Sequence, residues 1–402
     1  MVTCDLYFFN PTCETAVANG SETFMAAQVL REFESDLSFL PMIFTSPGDW
    51  VLSEKRPSET FVDDLKTAHF PVSATASKSE LLKSKKQEFT RMVPWGWSPA
   101  AHFYLKELKG RTSSAFRSSR VFNWQSGHRA LYERKTSAAL TGQFLAEFGP
   151  GNYCSSDAVA SVLCSESEIL AYLEKHRDTV LKSPVSSSGR GVQMIRDGKW
   201  GRSDSQWCNA VLQQMGYLMA EPLHRKKLDV SFQYEISASG KVQYCGHVFF
   251  YTNSNGMYQG HFINRDTMEL IGTDFTVLLD ETGLRLASVL EKSVYANLYE
   301  GFIGVDAMIV EESGQLKIHP CLEINCRLTM GMLALKAQKL IHPEGKGRFG
   351  IFTGQPGAFA AFSEKMKTEK PVILKEDRFR SGFLALTEPD PEAKFGAYLL
   401  LG

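Results

Sequence analysis

The chain of 402 residues lacks an excess of either charge, with 44 lysines and arginines against 45 aspartates and glutamates. A general nucleic-acid binder needs a net basic surface, so this balance argues against that class. The chain also lacks any apolar run near the roughly 18 residues that a bilayer span requires. Its first segment, MVTCDLYFFNPTCE, carries Asp5 and no basic n-region, so it does not read as a secretory signal. No C-x-x-C occurs among the cysteines at 4, 13, 154, 164, 208, 245, 321 and 326, and no Cys/His group has zinc spacing. Free thiols in a reducing cytoplasm are the expectation. Internal repeats and low-complexity segments are missing too. What remains is ordinary for a soluble globular protein: 43% hydrophobic and 22% charged residues, enough to bury a large core. At roughly 100–200 residues per domain, the length predicts two or three domains.

The N-terminal part alternates apolar runs with helix-like stretches. DLYFF (5–9) stops at Asn10-Pro11 as a buried strand would. FLPMIFT (39–45) and HFPVSAT (69–75) repeat that pattern around helix-like residues 24–36. Strands alternating with helices predict a small parallel α/β domain. The lysine-rich KSELLKSKKQE (78–88) reads as a solvated helix face.

The middle of the chain changes character. Ser165-x-x-Glu168 is a capping box before the amphipathic ILAYLEKH. TVLKSPV (179–185) and VQMI (192–195) read as strands around a Ser/Gly loop. LDVSFQYEI and VQYCGHVFFY flank Ser237-Ala238-Ser239-Gly240, and GFIGVDAMIV and LKIHPCLEI flank Glu311-Glu312-Ser313-Gly314. Both pairs predict antiparallel hairpins, because a short Gly-containing turn joins two β-rich runs. Leu286, Val289, Leu290, Val294 and Leu298 mark one helix face between them.

Three constellations carry chemistry. In VLKSPVSSSGRGV (180–192) a strand delivers Lys182, and Ser186, Ser187, Ser188, Gly189 and Gly191 form a loop of small residues. Such a loop lets backbone N–H groups approach an anion, and the lysine adds a point charge suited to phosphate. It is neither a Walker A loop nor a dinucleotide fingerprint. The second is Asp306 in GVDAMIV with Glu323, Asn325 and Arg327 in CLEINCR. Period-2 alternation puts the last three on one face, and hairpin pairing brings Asp306 opposite Glu323. Two carboxylates and an amide oxygen suit Mg²⁺. The third is YLMAEPL, ending in Glu221-Pro222, followed by Asp229. The extended backbone there could meet a base edge, and Asp229 a sugar's hydroxyls.

In this order the three pieces resemble the ATP-grasp superfamily, most specifically through KSPVSSSGRG and Glu323-x-Asn325-x-Arg327. The resemblance implies an α/β plus α+β fold: a Rossmann-like pre-ATP-grasp domain (1–124), then a two-lobed ATP-grasp domain with antiparallel sheets (125–345). The flexible lobe would cover about 178–236, and a C-terminal extension 346–402. It implies that Lys182 and the loop at Ser186–Gly191 hold ATP phosphates, that Glu221 sits beside adenine, and that Asp229 holds the ribose. Asp306, Glu323 and Asn325 would bind Mg²⁺ (two ions, with Mn²⁺ able to substitute). Arg327 would contact substrate or a phosphorylated intermediate. Lys135 in YERKTSAAL matches an upstream phosphate-binding lysine, although the family usually has Asp-Lys where this chain has Arg134-Lys135. Many such ligases carry an arginine just before the first Mg²⁺ carboxylate; Phe302–Val305 has none, which leaves Arg327 or Arg265 for the transferred phosphoryl group. FFNPTCETAVANG resembles a signature of uncharacterised bacterial ATP-grasp proteins, and Asn10, Glu14 and Pro94-Trp95-Gly96-Trp97 are candidates for a substrate pocket. The implied activity is ligation of a small carboxylate to an amine through an acyl phosphate, with ADP and phosphate released. A phosphotransferase and a non-catalytic ATP-binding protein are the alternatives. No nucleic-acid or membrane partner is expected.

Overall fold

The computed structural model describes residues 4–84, 87–186, 191–253 and 256–402. Three sheets organise them. The first has four strands of three residues each: β1 (Leu6–Phe8), β2 (Trp50–Leu52), β3 (Ala74–Ala76) and β4 (Met92–Pro94), in the order β3-β2-β1-β4. Every pairing in it is parallel, as the alternation of strands and helices predicts. The direction of winding reverses between β1 and β4, and in parallel sheets the loops leaving such a point are where ligands bind. Those loops carry Asn10-Pro11 and Trp95-Gly96-Trp97.

Two elements in this region differ from expectation. FLPMIFT is not a strand: Leu40–Phe44 forms a 3₁₀ helix with Pro41 in its first turn. Proline cannot donate to a strand ladder but suits a helix start, and the run is apolar because all five residues are buried. In HFPVSAT only the end is extended, since β3 begins at Ala74. In KSELLKSKKQE the helix covers Lys78–Lys83, held by a Ser77–Glu80 capping box.

The second sheet is antiparallel: β5 (Ser161–Leu163), β6 (Thr179–Lys182), β7 (Val192–Ile195) and β8 (Leu218–Pro222), ordered β5-β8-β6-β7. Helices Glu166–Lys175 and Arg202–Met215 accompany it. Ser165 Oγ accepts from the Glu168 N–H at 3.3 Å, and the Glu168 carboxylate accepts from Cys164 N at 2.8 Å, one residue before the usual capping-box position. Leu163, Ile169, Leu181, Cys208 and Leu218 form a hydrophobic cluster of its own. The strands of this sheet lie within 161–222, and the next strand belongs to a different sheet.

That third sheet has nine strands. They are β9 (Arg225–Ile236), β10 (Val242–Thr252), β11 (Tyr258–Ile263), β12 (Gly301–Glu312), β13 (Gln315–Asn325), β14 (Gly347–Thr353), β15 (Ile373–Lys375), β16 (Arg378–Ala385) and β17 (Phe395–Leu401). Their order is β13-β12-β9-β10-β11-β14-β17-β16-β15. Both expected hairpins are present, β9–β10 and β12–β13. The turn of the second places Ser313 and Gly314 at positive φ, 52° and 77°. Alternation is clean: Val230, Phe232 and Tyr234 enter the core, while Ser231 and Gln233 take the opposite face. The helix face read at 286–298 is split, because Ser293 caps a new helix, Val294–Leu298, after Thr276–Glu291 ends. Residues 347–401 complete the large sheet, through β14 against β11 and β17 against β14. They also bind the first domain: Asp36 accepts from the N–H of Lys394 at 2.9 Å, and Ser58 Oγ donates to Glu388 at 2.8 Å. No helix among the described residues is long and apolar enough to cross a membrane.

Candidate active site

The lobe sheet and the β12–β13 hairpin face a common cavity. Its lining includes Arg134, Lys182, Met219, Glu221, His319 and Leu322. On the lobe side β6 pairs with β8, so Lys182 lies opposite Met219 and Val180 opposite Glu221. The Lys182 ammonium reaches Glu221 Oε1 at 2.5 Å, with both side chains largely buried. Beyond Lys182 the chain turns back at Gly191, whose carbonyl accepts from Ser183 N at 2.8 Å. Gly191 has φ +67°, and a Cβ there would lie 2.3 Å from Ser183 Oγ, so only glycine fits. Ser187, Ser188 and Gly189 lie outside the described residues.

On the hairpin side Asp306 and Glu323 are cross-strand partners, and Asp306 also faces Ser231 of β9. Asp306 Oδ1 accepts from Ser231 Oγ at 2.7 Å and Oδ2 from Asn325 Nδ2 at 3.0 Å. Among the described residues no lysine or arginine forms an ion pair with Asp306. Burial pushes its carboxyl up to about 6; the Ser231 bond opposes this and the Glu323 charge adds to it. Glu323 pairs instead with Arg134 Nη2 at 2.9 Å.

Arg134 is the cation that links the two sides. It opens the helix Arg134–Phe148 and is only 5% exposed. Its Nη1 donates to the Ser183 carbonyl at 2.6 Å and to Ser186 Oγ at 2.8 Å. Its Nε is buried and has no hydrogen-bond partner among the described residues. A buried, cationic, unsatisfied donor in a cavity is suited to an anionic ligand. Lys135, the upstream lysine read from the sequence, turns elsewhere. It pairs with Glu133 at 2.7 Å, lies over the Tyr217 ring and is about half exposed.

The N-terminal signature contributes a buried acid. Glu14, in the helix Cys13–Asn19, is 4% exposed. Its Oε2 accepts from Arg327 Nη2 at 3.2 Å, and its Oε1 lies 3.0 Å from Arg327 Nε, out of hydrogen-bond alignment. Burial raises the Glu14 carboxyl pKa, and Arg327 opposes that rise. Arg327 Nη2 also donates to Asn325 Oδ1 at 2.9 Å, and Nη1 to the Leu328 carbonyl at 3.2 Å. Its fork is thus committed to protein groups. Asn10 brackets Gly96 through Nδ2 to the carbonyl at 2.8 Å and Oδ1 to the N–H at 3.3 Å. A Cβ on Gly96 would sit 2.3 Å from Cys13 Sγ and 3.1 Å from Arg327 Cβ. Trp95 and Trp97 are buried, Trp95 edge-on to Phe9 and Trp97 stacked on His102.

Two further residues lie apart from the acidic pair. Asp229 is two residues before Ser231 on the same face of β9, and it is bound by Lys226 at 2.6 Å. Arg265 is exposed beside Glu269. Arg134, His319 and Ser231 are the site residues that sequence reasoning passed over. Only Ser231 had a signal, the alternation of polar Ser231 and Gln233 within an apolar strand.

For a metal, the donors at the hairpin are Asp306, Glu323 and Asn325, all oxygen. Among the described residues there is no cluster of three or more His, Cys, Asp or Glu side chains able to hold an ion. A cation here would depend on the Asn325 amide as its third protein ligand. A hard cation that keeps waters and phosphate oxygens in its shell, such as Mg²⁺, fits so sparse a set.

No family model matches the chain, and no curated protein matches it by sequence. Solved structures do match along its whole length. The N5-carboxyaminoimidazole synthetase of Staphylococcus aureus, complexed with ADP, is 13% identical, with a TM-score of 0.50 over 100% of this chain and 94% of that one. The biotin carboxylase of Campylobacter jejuni is 12% identical, with a TM-score of 0.52 over 100% and 88%. The chain has the ATP-grasp fold. The biotin carboxylase domain of Hydrogenobacter thermophilus 2-oxoglutarate carboxylase, complexed with MgADP and bicarbonate, is 11% identical, with a TM-score of 0.51 over 100% and 86%. At such identities the likeness is one of fold. Within this fold Arg134 bonds both the chain just after β6 of the small antiparallel sheet and the β12–β13 hairpin.

Proposed function

We propose that this chain is an ATP-dependent ligase that joins a small carboxylate to an amine through an acyl phosphate, releasing ADP and phosphate, in a reducing cytoplasm. The supporting observation is a buried arginine, Arg134, that lines the cavity with Lys182 and Glu221 and pairs with Glu323 of the hairpin. Lys182 and Glu221 form an ion pair on the lobe, Asp306, Glu323 and Asn325 share a face of the hairpin, and Arg134 stands between them. The MgADP and ADP complexes of the similar structures support a nucleotide in this cleft.

On this reading Lys182 and Arg134 neutralise the phosphates, and Ser186 with the loop up to Gly191 covers them. Charge placed in advance where charge moves is the main catalytic contribution such a site can make. Asp306, Glu323 and Asn325 would hold Mg²⁺, which supplies charge neutralisation at the phosphate oxygens. Arg327 is a positioning residue: it is held by Glu14 and fixes the Asn325 amide. Glu221 lies beside the base and Asp229 beside the ribose. Closure of the lobe excludes water, which matters because an acyl phosphate hydrolyses readily.

The test is a phosphate-release screen with MgATP against amino acids and small dicarboxylates, singly and in pairs. ADP and phosphate formed only with a carboxylate and an amine together is the expected result. ADP without free phosphate would replace ligation by phosphoryl transfer. Tight ATP binding with no product would leave a nucleotide-binding protein.

A further inference from the structure

Asp306 ends a chain of buried polar side chains that the ligase reading leaves unused. Ser231 of β9 faces it across the strand pair, and Gln233, the next residue on that face, lies opposite Gly304. Gln233 is fully buried, and so is Thr329, which caps the helix Met330–Leu340. Thr329 Oγ1 accepts from the Met332 N–H at 2.9 Å and donates to Gln233 Oε1 at 2.7 Å. Gln233 Nε2 donates to Ser231 Oγ at 2.8 Å, and Ser231 Oγ donates to Asp306 Oδ1 at 2.7 Å. Three bonds therefore run in one direction, from a helix start to the hairpin carboxylate.

The direction follows from the carboxylate. An ionised carboxylate only accepts, so Ser231 gives it a proton and has its own lone pairs free to receive one from Gln233. That sets the Gln233 amino group toward Ser231 and its carbonyl toward the Thr329 hydroxyl. A reversed amide would draw the Ser231 proton to itself and set oxygen lone pairs of Ser231 and Asp306 against each other. The backbone makes room for the amide. A Cβ on Gly331 would lie 2.5 Å from Gln233 Nε2, and one on Gly304 would lie 2.7 Å from Thr329 Cγ2. Apolar side chains would serve packing alone as well, since a buried polar group gains little net over its lost water. With Asn325 Nδ2 on Oδ2, each Asp306 oxygen holds one of these donors and keeps a lone-pair site for a cation.

We propose that Gln233 is a positioning residue: anchored by Thr329, it aims the Ser231 hydroxyl at Asp306 and so holds that carboxylate in the orientation that receives a divalent cation. This inference rests on the reading that Asp306 is a cation ligand. Gln233 acts through Ser231, as groups that orient a metal's ligands do without touching the metal.

The experiment is calorimetric titration of the full-length protein with ADP, in EDTA and again in saturating Mg²⁺; the ratio of the two affinities is the gain due to the cation. The wild type is expected to bind ADP more tightly with Mg²⁺. Ser231→Ala and Gln233→Met are each expected to cut that gain by roughly tenfold, with little change in EDTA. The double variant separates positioning from packing. Adding Gln233→Met to Ser231→Ala should alter the Mg²⁺ gain by less than about twofold, even while it lowers the melting temperature further. Gln233→Asn, one carbon shorter, replaces Gln233→Met should that variant not fold. An undiminished gain in either single variant overturns the proposal, and so do losses that simply add in the double variant. Ser231→Ala keeps it exposed whatever the Gln233 variants do. In these cases the cation reading of Asp306 stands. A wild type that gains nothing from Mg²⁺ removes that reading and the proposal together.

Discussion

The two walls of the cleft manage charge differently. On the lobe, Lys182 and Glu221 neutralise each other at 2.5 Å. On the hairpin wall three carboxylates, Glu14, Asp306 and Glu323, meet two guanidiniums, Arg134 and Arg327. Asp306 hydrogen-bonds two neutral side chains, Ser231 and Asn325, and meets the Arg327 charge only through space. A wall that is neutral within itself can lend its cation to an arriving anion. A wall with one more carboxylate than guanidinium favours the arrival of a cation instead. The contrast matches a ligand that is an anion and a metal together, as MgATP is.

The largest effect is expected on the lobe wall. Lys182→Met should lower ATP-dependent turnover by about a hundredfold or more. It should also destabilise the fold by roughly 3–5 kcal/mol, because Glu221 stays buried without its partner. Adding Glu221→Gln should restore the melting temperature but not the turnover. Recovery of both would reduce the pair to a structural one. On the hairpin wall, Glu14→Gln should cost about 3–5 kcal/mol in urea unfolding for the same reason. Combined with Arg327→Met the losses should fall well short of additive, since each single change strands the other partner. Mg²⁺ added with ADP should raise wild-type stability by roughly 2–3 kcal/mol at a hundredfold excess over its dissociation constant. Asp306→Asn should lose most of that increment in a thermal melt. An equal gain in both proteins would move the cation away from this wall. The smallest effect separates two neighbouring residues: Lys135→Ala should change stability by under about 1 kcal/mol and barely alter nucleotide affinity. Arg134→Ala should weaken nucleotide binding by tenfold or more, and a reversal of that ranking would restore Lys135 to the site.

Much of this was legible because strand periodicity is strict. Once a turn fixes a hairpin, Asp306 opposite Glu323 follows from counting. The order of lysine, small-residue loop, acidic strand end and acid–amide pair belongs to the same class of one-dimensional signal. Other features depend on distance in space. Arg134 and Lys135 are adjacent cations at a helix start, and only the helix orientation decides which one enters the cavity. Glu14 meets Arg327 across more than three hundred residues, so no local pattern connects them. The buried run at 39–45 misled because apolarity reports burial, whereas Pro41 decides the backbone. The edge of the small sheet was not legible, because β8 and β9 are separated by two residues yet belong to different sheets.

The join between the first domain and the last strands also constrains how the protein comes into being. Asp36 waits for the backbone of Lys394, 358 residues later, and Ser58 waits for Glu388, 330 residues later. At ribosomal rates that is a delay on the order of tens of seconds, spent with Asp36 lacking these partners and the edge of β14 uncovered. Contacts of such separation slow folding and lengthen exposure to aggregation. Newly made chains should therefore lean on chaperones until β17 has emerged and closed the gap between β14 and β16.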